Sequence, residues 1–234
     1  SQRFIVVTDV QGRSLIGKVV ADDTLTYAKA GCDWSQLPIV QHVLSSATGT
    51  AATEVVPSEI LAWVNLDERT RIPLIDTPKA APEPYDPREG TAGLTQVAVA
   101  PILSDSGQRL GLVIVGHLFN NDFTLVDRIA EVAGVDTSTI FFGDLRVSTN
   151  VLTEDGQRAI GTRLSQEVFD KVLLQGEEFT GPAYVVFQDY ITRYRPLRDY
   201  QGKVVGILYV GANRASFLRL IESFRRQFLL IAAA

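Results

Sequence analysis

The chain has few of the residues on which recognisable active-site chemistry depends. Its 234 residues include one cysteine, two histidines and no methionine. Cys32 on its own excludes an internal disulfide bond, and with only His42 and His117 beside it the chain cannot build a Cys/His zinc cluster. Motifs of the type Gly-x-Ser-x-Gly, His-Glu-x-x-His and Gly-x-Gly-x-x-Gly do not occur in the sequence. We therefore expect no cofactor, no metal site and no catalytic residue.

An excess of positive charge is also lacking. The 22 basic and 27 acidic residues give a formal net charge of -5 and a pI near 5.1. Proteins that bind nucleic acids derive most of their affinity from neutralising phosphates, so this balance excludes a nucleic-acid partner. A chain that is 46% hydrophobic and 21% charged is expected to fold. Without a methionine or a signal peptide, we interpret it as part of a longer protein.

One motif comes within one residue of a phosphate-binding P-loop. Residues 12–19 have the glycine spacing of the motif, with Gly17 followed by Lys18. The motif requires Ser or Thr where this chain has Val19, and it requires a helix that begins at the lysine. The β-branched pair Val19 and Val20 favours a strand instead. We therefore reject nucleotide hydrolysis.

The most informative feature of the chain is an internal repeat. Residues 101–116 recur 95 positions later as residues 196–211, with five identities in sixteen positions. Each copy predicts a β-hairpin, with a strand entered at a proline, a turn closed by glycine and an apolar strand ending in Val-Gly. The alternative is that two unrelated hairpins share turn chemistry. The repeat predicts two modules of roughly a hundred residues each.

The first module is predicted to begin with two strands, at residues 3–8 and 14–20, joined by the turn at residues 9–12. Ser35 is expected to cap a helix that ends at residue 44, with Pro38 in its first turn and Gly49 beyond its end. Five prolines between residues 73 and 87 predict a long loop inside this module, because the strands at residues 94–115 are needed to finish its sheet. The alternative is a linker between domains.

The second module is predicted to repeat this order. A helix over residues 123–133 ends at Gly134, and the strands 139–143 and 145–150 and a helix over 165–175 follow. The remaining strands are expected at residues 183–187, 190–197 and 204–210. The order predicts an α+β fold in which each module is an antiparallel sheet flanked by helices.

The last segment differs from the rest because it has a heptad pattern. Its apolar residues are spaced four, three, four and three apart, which predicts a helical seam of Phe217, Ile221, Phe224, Phe228 and Ile231. The apolar end at residues 228–234 is too short to cross a bilayer. We interpret it as the beginning of a transmembrane helix, and the alternative is a helix that packs on its own core.

A hairpin in the second module predicts a ligand site. With a turn at Gln188 and Asp189, alternation of side chains along the two strands places one set of residues on one face: Ala183, Val185, Phe187, Tyr190, Thr192 and Tyr194. Aromatic walls with hydroxyl groups are typical of a site for a small polar molecule, although an ordinary core face is the alternative. We expect Phe142 and Thr149 to complete the cleft. His117 ends the last strand of the first module and is a further candidate for ligand contact, although a structural role is the alternative.

Three segments of the second module, residues 139–149, 156–163 and 190–211, resemble the Cache sensor domains of bacterial receptors. The first contains Gly143-Asp-Leu-Arg146, and the second contains Gly161-Thr-Arg163. With the repeated hairpin, the chain resembles a double Cache module, with two tandem PAS-like modules at residues 1–120 and 121–213. Residues 214–234 would be a C-terminal signalling helix leading into a transmembrane segment.

The resemblance implies the extracytoplasmic part of a membrane receptor, such as a histidine kinase, a chemotaxis receptor or a nucleotide cyclase. It implies a small-molecule ligand (a carboxylate, an amine or an amino acid) that binds the membrane-distal module, residues 1–120. It also implies membrane attachment through flanking helices and a long N-terminal helix before residue 1. The C-terminal seam would pair with that helix or with a second subunit in a homodimer. A soluble PAS-type binding protein and a small enzyme with carboxylate chemistry remain the alternatives.

Overall fold

The computed structural model describes residues 1–85, 91–185 and 188–213. In this part of the chain, the fold is mixed, with two antiparallel sheets and short helices. Among these residues, the first sheet has six strands, and the second has five. The predicted helical seam at residues 217–231 lies outside the described residues. The helices described here all lack the length and hydropathy that crossing a membrane requires.

The first sheet is formed by residues from the N-terminal half. Its strands are β1 (Gln2–Thr8), β2 (Ser14–Ala21), β3 (Thr24–Tyr27), β4 (Thr50–Pro57), β5 (Ala92–Leu103) and β6 (Arg109–Leu118). They lie in the order β3-β2-β1-β6-β5-β4. The strand β2 passes straight through Lys18, which confirms that the P-loop-like sequence is not a phosphate loop. Strands β3 and β4 were not predicted, because β3 has only four residues and β4 has a mixed sequence.

Helix α1 (Pro38–Ser46) covers this sheet, and the short α2 (Ser58–Leu61) follows β4. The predicted cap at Ser35 is wrong, because the helix begins at Pro38 with Leu37 as its N-cap. The helix ends at Ser46, two residues beyond the predicted end at residue 44. Asp33 instead caps the preceding 3-10 turn by accepting a hydrogen bond from the Ser35 amide. Trp34 is fully buried beneath the helix, with its ring 5.4 Å from that of Phe4.

The second sheet follows helix α3 (Thr124–Ala133). Its strands are β7 (Thr137–Phe142), β8 (Leu145–Thr149), β9 (Phe179–Val185), β10 (Gln188–Arg198) and β11 (Val204–Asn213). They lie in the order β8-β7-β11-β10-β9. Between β8 and β9, helix α4 (Gln166–Val168) continues as a π-helical segment, Phe169–Leu174. The predicted helix at residues 165–175 is therefore confirmed in position and differs in winding.

The two repeated hairpins have the same register. Pro101 lies opposite Leu112 in the first sheet, and Pro196 lies opposite Ile207 in the second. Both hairpins also shift register at the same relative position, after Ile102 and after Leu197. The repeat found in the sequence therefore corresponds to two equivalent hairpins.

One four-residue turn recurs at four places, beginning at Asp9, Ser104, Thr153 and Asp199. In the first, the Gly12 amide donates to the Asp9 carbonyl over 3.1 Å and the Asp9 amide donates to the Arg13 carbonyl over 2.9 Å. The last has the same two bonds, between Gly202 and Asp199 and between Asp199 and Lys203. The glycine closes each turn at a φ between 79° and 88°, a conformation that favours glycine.

The two sheets are joined by a shared apolar cluster. It contains residues of the first half, such as Leu94 and Phe119, and residues of the second sheet, such as Ile140 and Val205. A polar contact lies beside it, where the Tyr200 amide donates to the buried Glu54 carboxylate over 2.9 Å. The last turn of the second sheet is therefore docked on a strand of the first.

The proline-rich segment leaves the first sheet after β4 and returns to it at β5, as expected of a loop inside the first module. We call residues 73–85 of this segment the strap. Its contacts with the second half of the chain were not predicted. The Ile75 amide donates to the Gly161 carbonyl over 2.8 Å, and the Tyr85 hydroxyl donates to the Val204 carbonyl over 2.8 Å. The strap thus packs on the second sheet although it belongs to the first in chain order.

Candidate functional site

A cavity of about 360 Å³ lies between one face of the second sheet and the strap. This volume is at the lower end of the range typical of small-molecule sites. Its walls come from the strap, strand β8, the segment before α4, and the hairpin of β9 and β10. The lining residues are Asp76, Thr77, Pro78, Lys79, Arg146, Thr162, Arg163, Leu164, Ser165, Ala183, Val185 and Tyr194. We call this space the second-sheet cavity.

Arg163 fixes the strap over the cavity. Its Nε donates to the Asp144 carboxylate over 2.7 Å, and its two terminal nitrogens donate to the carbonyls of Ala81 and Glu83 over 2.9 and 2.6 Å. Asp144 also accepts a hydrogen bond from the Tyr85 amide over 3.0 Å. The side chains of Arg163 and Asp144 are only 11% and 1% exposed, so water screens this pair weakly. One buried ion pair therefore holds both the middle and the end of the strap.

The predicted turn at Gln188 and Asp189 is wrong, because both residues belong to β10. Gln188 lies opposite Val185, and Tyr190 lies opposite Ala183. The expected turn would place Tyr190 opposite Phe187, so the observed register differs by four residues along β9, and an even shift leaves every side chain on its original face. Val185, Tyr190, Thr192 and Tyr194 are all buried, so the predicted inward face is the observed one.

Only part of that face reaches the cavity. Val185 and Tyr194 line it, whereas Tyr190 belongs to the core of the second sheet and the Thr192 hydroxyl donates to the Gly181 carbonyl over 2.9 Å. Phe187 lies outside the described residues. Burial raises the pKa of Tyr194 to about 12, so this side chain is a neutral hydroxyl at any physiological pH.

Phe142 does not join this face. Its side chain lies on the opposite side of the second sheet, in the apolar cluster shared with the first. The neighbouring Phe141 takes the inward position, opposite Ile207 on β11. Thr149 does lie on the inward side, where its hydroxyl is 2.6 Å from that of Thr139, but it is not among the cavity-lining residues. The inward face therefore has Phe141 where the sequence suggested Phe142, and neither residue is among those that line the cavity.

His117 lies away from the second-sheet cavity. Its Nε2 is 2.8 Å from the Asp122 carboxylate, and its ring centroid is 5.3 Å from that of Phe119. Asp122 also accepts hydrogen bonds from the amides of Gln2 and Thr124, over 2.7 and 3.0 Å. The pair thus ties the start of β1 to the start of α3. Contact between His117 and a ligand stays a prediction.

The Asp122 contacts predict a specific acid sensitivity. Burial alone would raise the pKa of Asp122, but the hydrogen bonds from His117, Thr124 and Gln2 together lower it well below its usual value. A lowered folded-state pKa stabilises the fold above the unfolded-state pKa of about 3.9, and this stabilisation is lost as the pH falls through the folded-state value. At neutral pH, the free energy of unfolding of Asp122→Asn should be lower than that of the wild type. It should then decrease less than that of the wild type as the pH falls below about 4.

Urea denaturation at a series of pH values measures this effect. Asp105→Asn, at an exposed position, is the matched control and should lose as much stability at low pH as the wild type does. An Asp122→Asn protein that loses as much stability at low pH as the wild type would contradict the prediction.

Arg146 is a cavity residue that the sequence did not single out. It lies on β8 opposite Phe141, and its guanidinium carbon is 5.2 Å from the centre of that ring. The residue is 6% exposed, and burial lowers the pKa of its guanidinium. Its Nε and Nη1 are buried and have no hydrogen-bond partner among the described residues. The resemblance motif contained this arginine, but no local pattern indicated that it would be buried.

In the described part of the chain, no three His, Cys, Asp or Glu side chains are grouped in a way that could hold a metal ion. The cavity instead contains arginine, hydroxyl and apolar groups. Such an arrangement can bind and orient a small molecule through hydrogen bonds and charge.

Comparison with known proteins gives one family match. Residues 117–224 match the family model described as single cache domain 3, which covers slightly less than half of the chain. Among curated proteins, none matches the sequence.

Several solved structures have a general likeness to the chain. The periplasmic domain of LuxQ from Vibrio cholerae is 10% identical, with a TM-score of 0.41 over 91% of this chain and 71% of that one. The periplasmic sensory domain of the Campylobacter jejuni chemoreceptor Tlp1 is 10% identical, with a TM-score of 0.38 over 92% and 73%. The ligand-binding domain of the Pseudomonas fluorescens chemoreceptor CtaA, solved with L-serine, is 12% identical, with a TM-score of 0.39 over 91% and 73%. The family match supports a Cache sensor domain in the second half of the chain.

Proposed function

We propose that this chain is the extracytoplasmic ligand-sensing part of a membrane signal-transduction receptor and has no catalytic activity of its own. The observation that carries the proposal is the second-sheet cavity, which has the strap as one wall and whose other lining residues lie within the segment that matches the Cache family. We propose two tandem Cache modules, at residues 1–120 and 121–213, with residues 214–234 as the output segment. The attached output would be a kinase, a chemotaxis signalling domain or a cyclase.

The ligand site of this proposal differs from the site that the resemblance implied. The resemblance placed the ligand in the first module, whereas the second-sheet cavity is enclosed by the second sheet and by a strap from the first half. A ligand can signal only if it binds one arrangement of the protein more tightly than another. Because the strap forms one wall, ligand binding would favour the arrangement in which the strap is docked. Membrane attachment through flanking helices and pairing of residues 217–231 with a second subunit belong to the same proposal.

A cavity-filling substitution tests the position of the site. Ala183 lines the second-sheet cavity, and Ala183→Phe would place a ring in the ligand space. In a thermal-shift screen of amino acids, carboxylates and amines, a ligand at 100 times its Kd stabilises the wild type by about 2.7 kcal/mol. That stabilisation should be lost in Ala183→Phe.

The matched control is Ala98→Phe, at an exposed position on the first sheet beside a shallow groove. It should respond to the ligand like the wild type. Loss of the response in Ala98→Phe, with retention in Ala183→Phe, would move the site to the first sheet and overturn the assignment of the second-sheet cavity.

A further inference from the structure

The turn between β10 and β11 meets the first sheet at a buried carboxylate. Glu54 lies on β4 and is only 7% exposed. Its carboxylate accepts a hydrogen bond from the Tyr200 amide over 2.9 Å. The Tyr200 side chain packs against the core of the first sheet, and its ring centroid lies 5.5 Å from that of His42 on α1. We call this contact between the two halves of the chain the Tyr200 latch.

On the side of the hairpin, Glu54 meets a second negative charge. Asp199 begins the turn, and its charge opposes ionisation of Glu54. The cations of the hairpin have other surroundings, since Arg198 donates to two backbone carbonyls and Lys203 is exposed. The two remaining arginines of β10 pair with Glu178. The hairpin therefore brings to Glu54 a backbone donor and a like charge.

The other elements around Glu54 carry little charge. Strands β5 and β11, which pack against β4, have no charged residue in their sequences. Helix α1 has His42 and helix α2 has Glu59, and both residues are exposed. Burial, with a smaller contribution from Asp199, raises the pKa of Glu54, and the hydrogen bond from Tyr200 offsets only part of this effect.

We propose that the Tyr200 latch is a pH-sensitive contact, which is closed when Glu54 is protonated and weakens as the Glu54 carboxylate becomes charged. A protonated carboxyl group still accepts the Tyr200 hydrogen bond, and it does not repel Asp199. Burial of the neutral form also costs less than burial of the charge. The surrounding pH would then change how firmly the two halves of the chain are held together. This inference goes beyond ligand sensing and requires no ligand.

The direction of the pH effect follows from the raised pKa. With the latch open, Glu54 is a solvated carboxyl group with an ordinary pKa of about 4.3. Protonation therefore stabilises the closed latch, and this stabilisation is fully present below that value. It is lost as the pH rises through the higher pKa of the closed latch.

NMR spectra of the wild-type chain at a series of pH values test the proposal. The chemical shift of the Tyr200 amide should follow ionisation of Glu54, with a midpoint above that of an ordinary glutamate. Amide exchange is measured on the same samples and corrected for its intrinsic pH dependence. The protection of residues 199–203 should fall severalfold as the pH rises from about 5 to about 7.

The turn at residues 9–13 is an internal control. It has the same Asp-x-Gln-Gly sequence, and the Asp9 carboxylate accepts the same two amide hydrogen bonds that the Asp199 carboxylate accepts. Its Gly12 carbonyl, however, accepts from Trp34 of its own module. The protection of this turn should therefore be constant over the same pH range. An equal change in both turns, or no change in residues 199–203, would overturn the proposal.

Substitutions identify the group that titrates. Glu54→Gln keeps an acceptor for the Tyr200 amide and cannot ionise, so residues 199–203 should be as protected at neutral pH as in the acidic wild type. Asp199→Asn keeps an acceptor for the amides of the turn and removes the second charge, so the midpoint should move to lower pH. Asp9→Asn is the matched control, and it should leave the midpoint unchanged.

Two results with these proteins would contradict the inference. If Glu54→Gln retained the pH dependence of the wild type, another group would control the contact. If Glu54→Gln were less protected than the wild type at every pH, the Glu54 charge would strengthen the contact. The wild-type titration does not depend on the folding of any variant, and a Tyr200 midpoint at or below that of an ordinary glutamate would by itself overturn the proposal.

Discussion

Arg163→Met should release the strap and lower the free energy of unfolding by about 3–5 kcal/mol, since removing one partner of a buried ion pair leaves the other charge uncompensated. The uncompensated group would be Asp144, whose side chain is 1% exposed. The same substitution removes the donors to the Ala81 and Glu83 carbonyls. The strap would keep its backbone contacts, the hydrogen bond from the Arg163 amide to the Thr77 hydroxyl and the contacts of Tyr85.

Urea denaturation measures the loss of stability, and amide hydrogen exchange locates it. We expect exchange to accelerate most in the strap and in residues 161–166, which pair with it. Arg128→Met is the matched control, because Arg128 pairs with Glu131 on the surface and both side chains are more than 60% exposed. Exposed pairs contribute about 0–1 kcal/mol, so this variant should remain close to the wild type. An Arg163→Met protein with the stability of the Arg128→Met protein would show that the ion pair does not hold the strap.

A methyl group at either of two equivalent glycines of the repeat should be even less tolerated. A Cβ on Gly111 would lie 2.0 Å from the Thr8 carbonyl oxygen, and a Cβ on Gly206 would lie 2.4 Å from the Phe141 carbonyl oxygen. In both cases the obstacle is the backbone of the neighbouring strand, which cannot rotate away as a side chain could. We expect Gly111→Ala and Gly206→Ala each to cost on the order of 4 kcal/mol or more, beyond the usual cost of overpacking.

Gly181→Ala provides the control for this pair. Gly181 also lies in a strand, but its Cβ would have only ordinary contacts with Phe179 at 3.5 Å. Urea denaturation should show a change within about 1 kcal/mol for this variant. If Gly111→Ala and Gly206→Ala were no more destabilised than Gly181→Ala, close approach of the strands would not explain the repeated glycines.

Local patterns in the sequence predicted the parts of the fold that depend on neighbouring residues. The offset of 95 between the hairpins predicted their equivalence, and the register of each follows from a turn whose hydrogen bonds join residues within four positions. The helix that ends at Gly134 is confirmed for the same reason, because its end depends on Gly134 itself. This residue has a φ of 63°, in the left-handed region that favours glycine. Its expected apolar stripe is only partly buried, with Val126 buried and Val132 69% exposed.

The errors arose where position depends on residues distant in sequence. Asp189 is a common turn residue, but in the fold it and Gln188 pair with β9 as part of β10. Phe142 was chosen over Phe141 because the sequence of β7 does not specify which of the two lies on the inward side of the sheet, and this depends on pairing with β11, more than sixty positions away. For the same reason, neither the burial of Arg146 nor the packing of the strap on the second sheet could be predicted. The two features that define the candidate site therefore depend on contacts between residues that are distant in sequence.

The path of the strap also determines what constitutes a complete binding unit. Residues 76–79 form a wall of the second-sheet cavity, yet they precede the segment matched by the Cache family, which begins at residue 117. A fragment cut at the family boundary would contain Arg146, Val185 and Tyr194 and would leave the cavity open on that side. Transfer of only the segment from residue 117 onward into another protein would therefore move the second sheet without the strap. The smallest part of this chain that keeps the proposed site complete must begin early enough to include the strap.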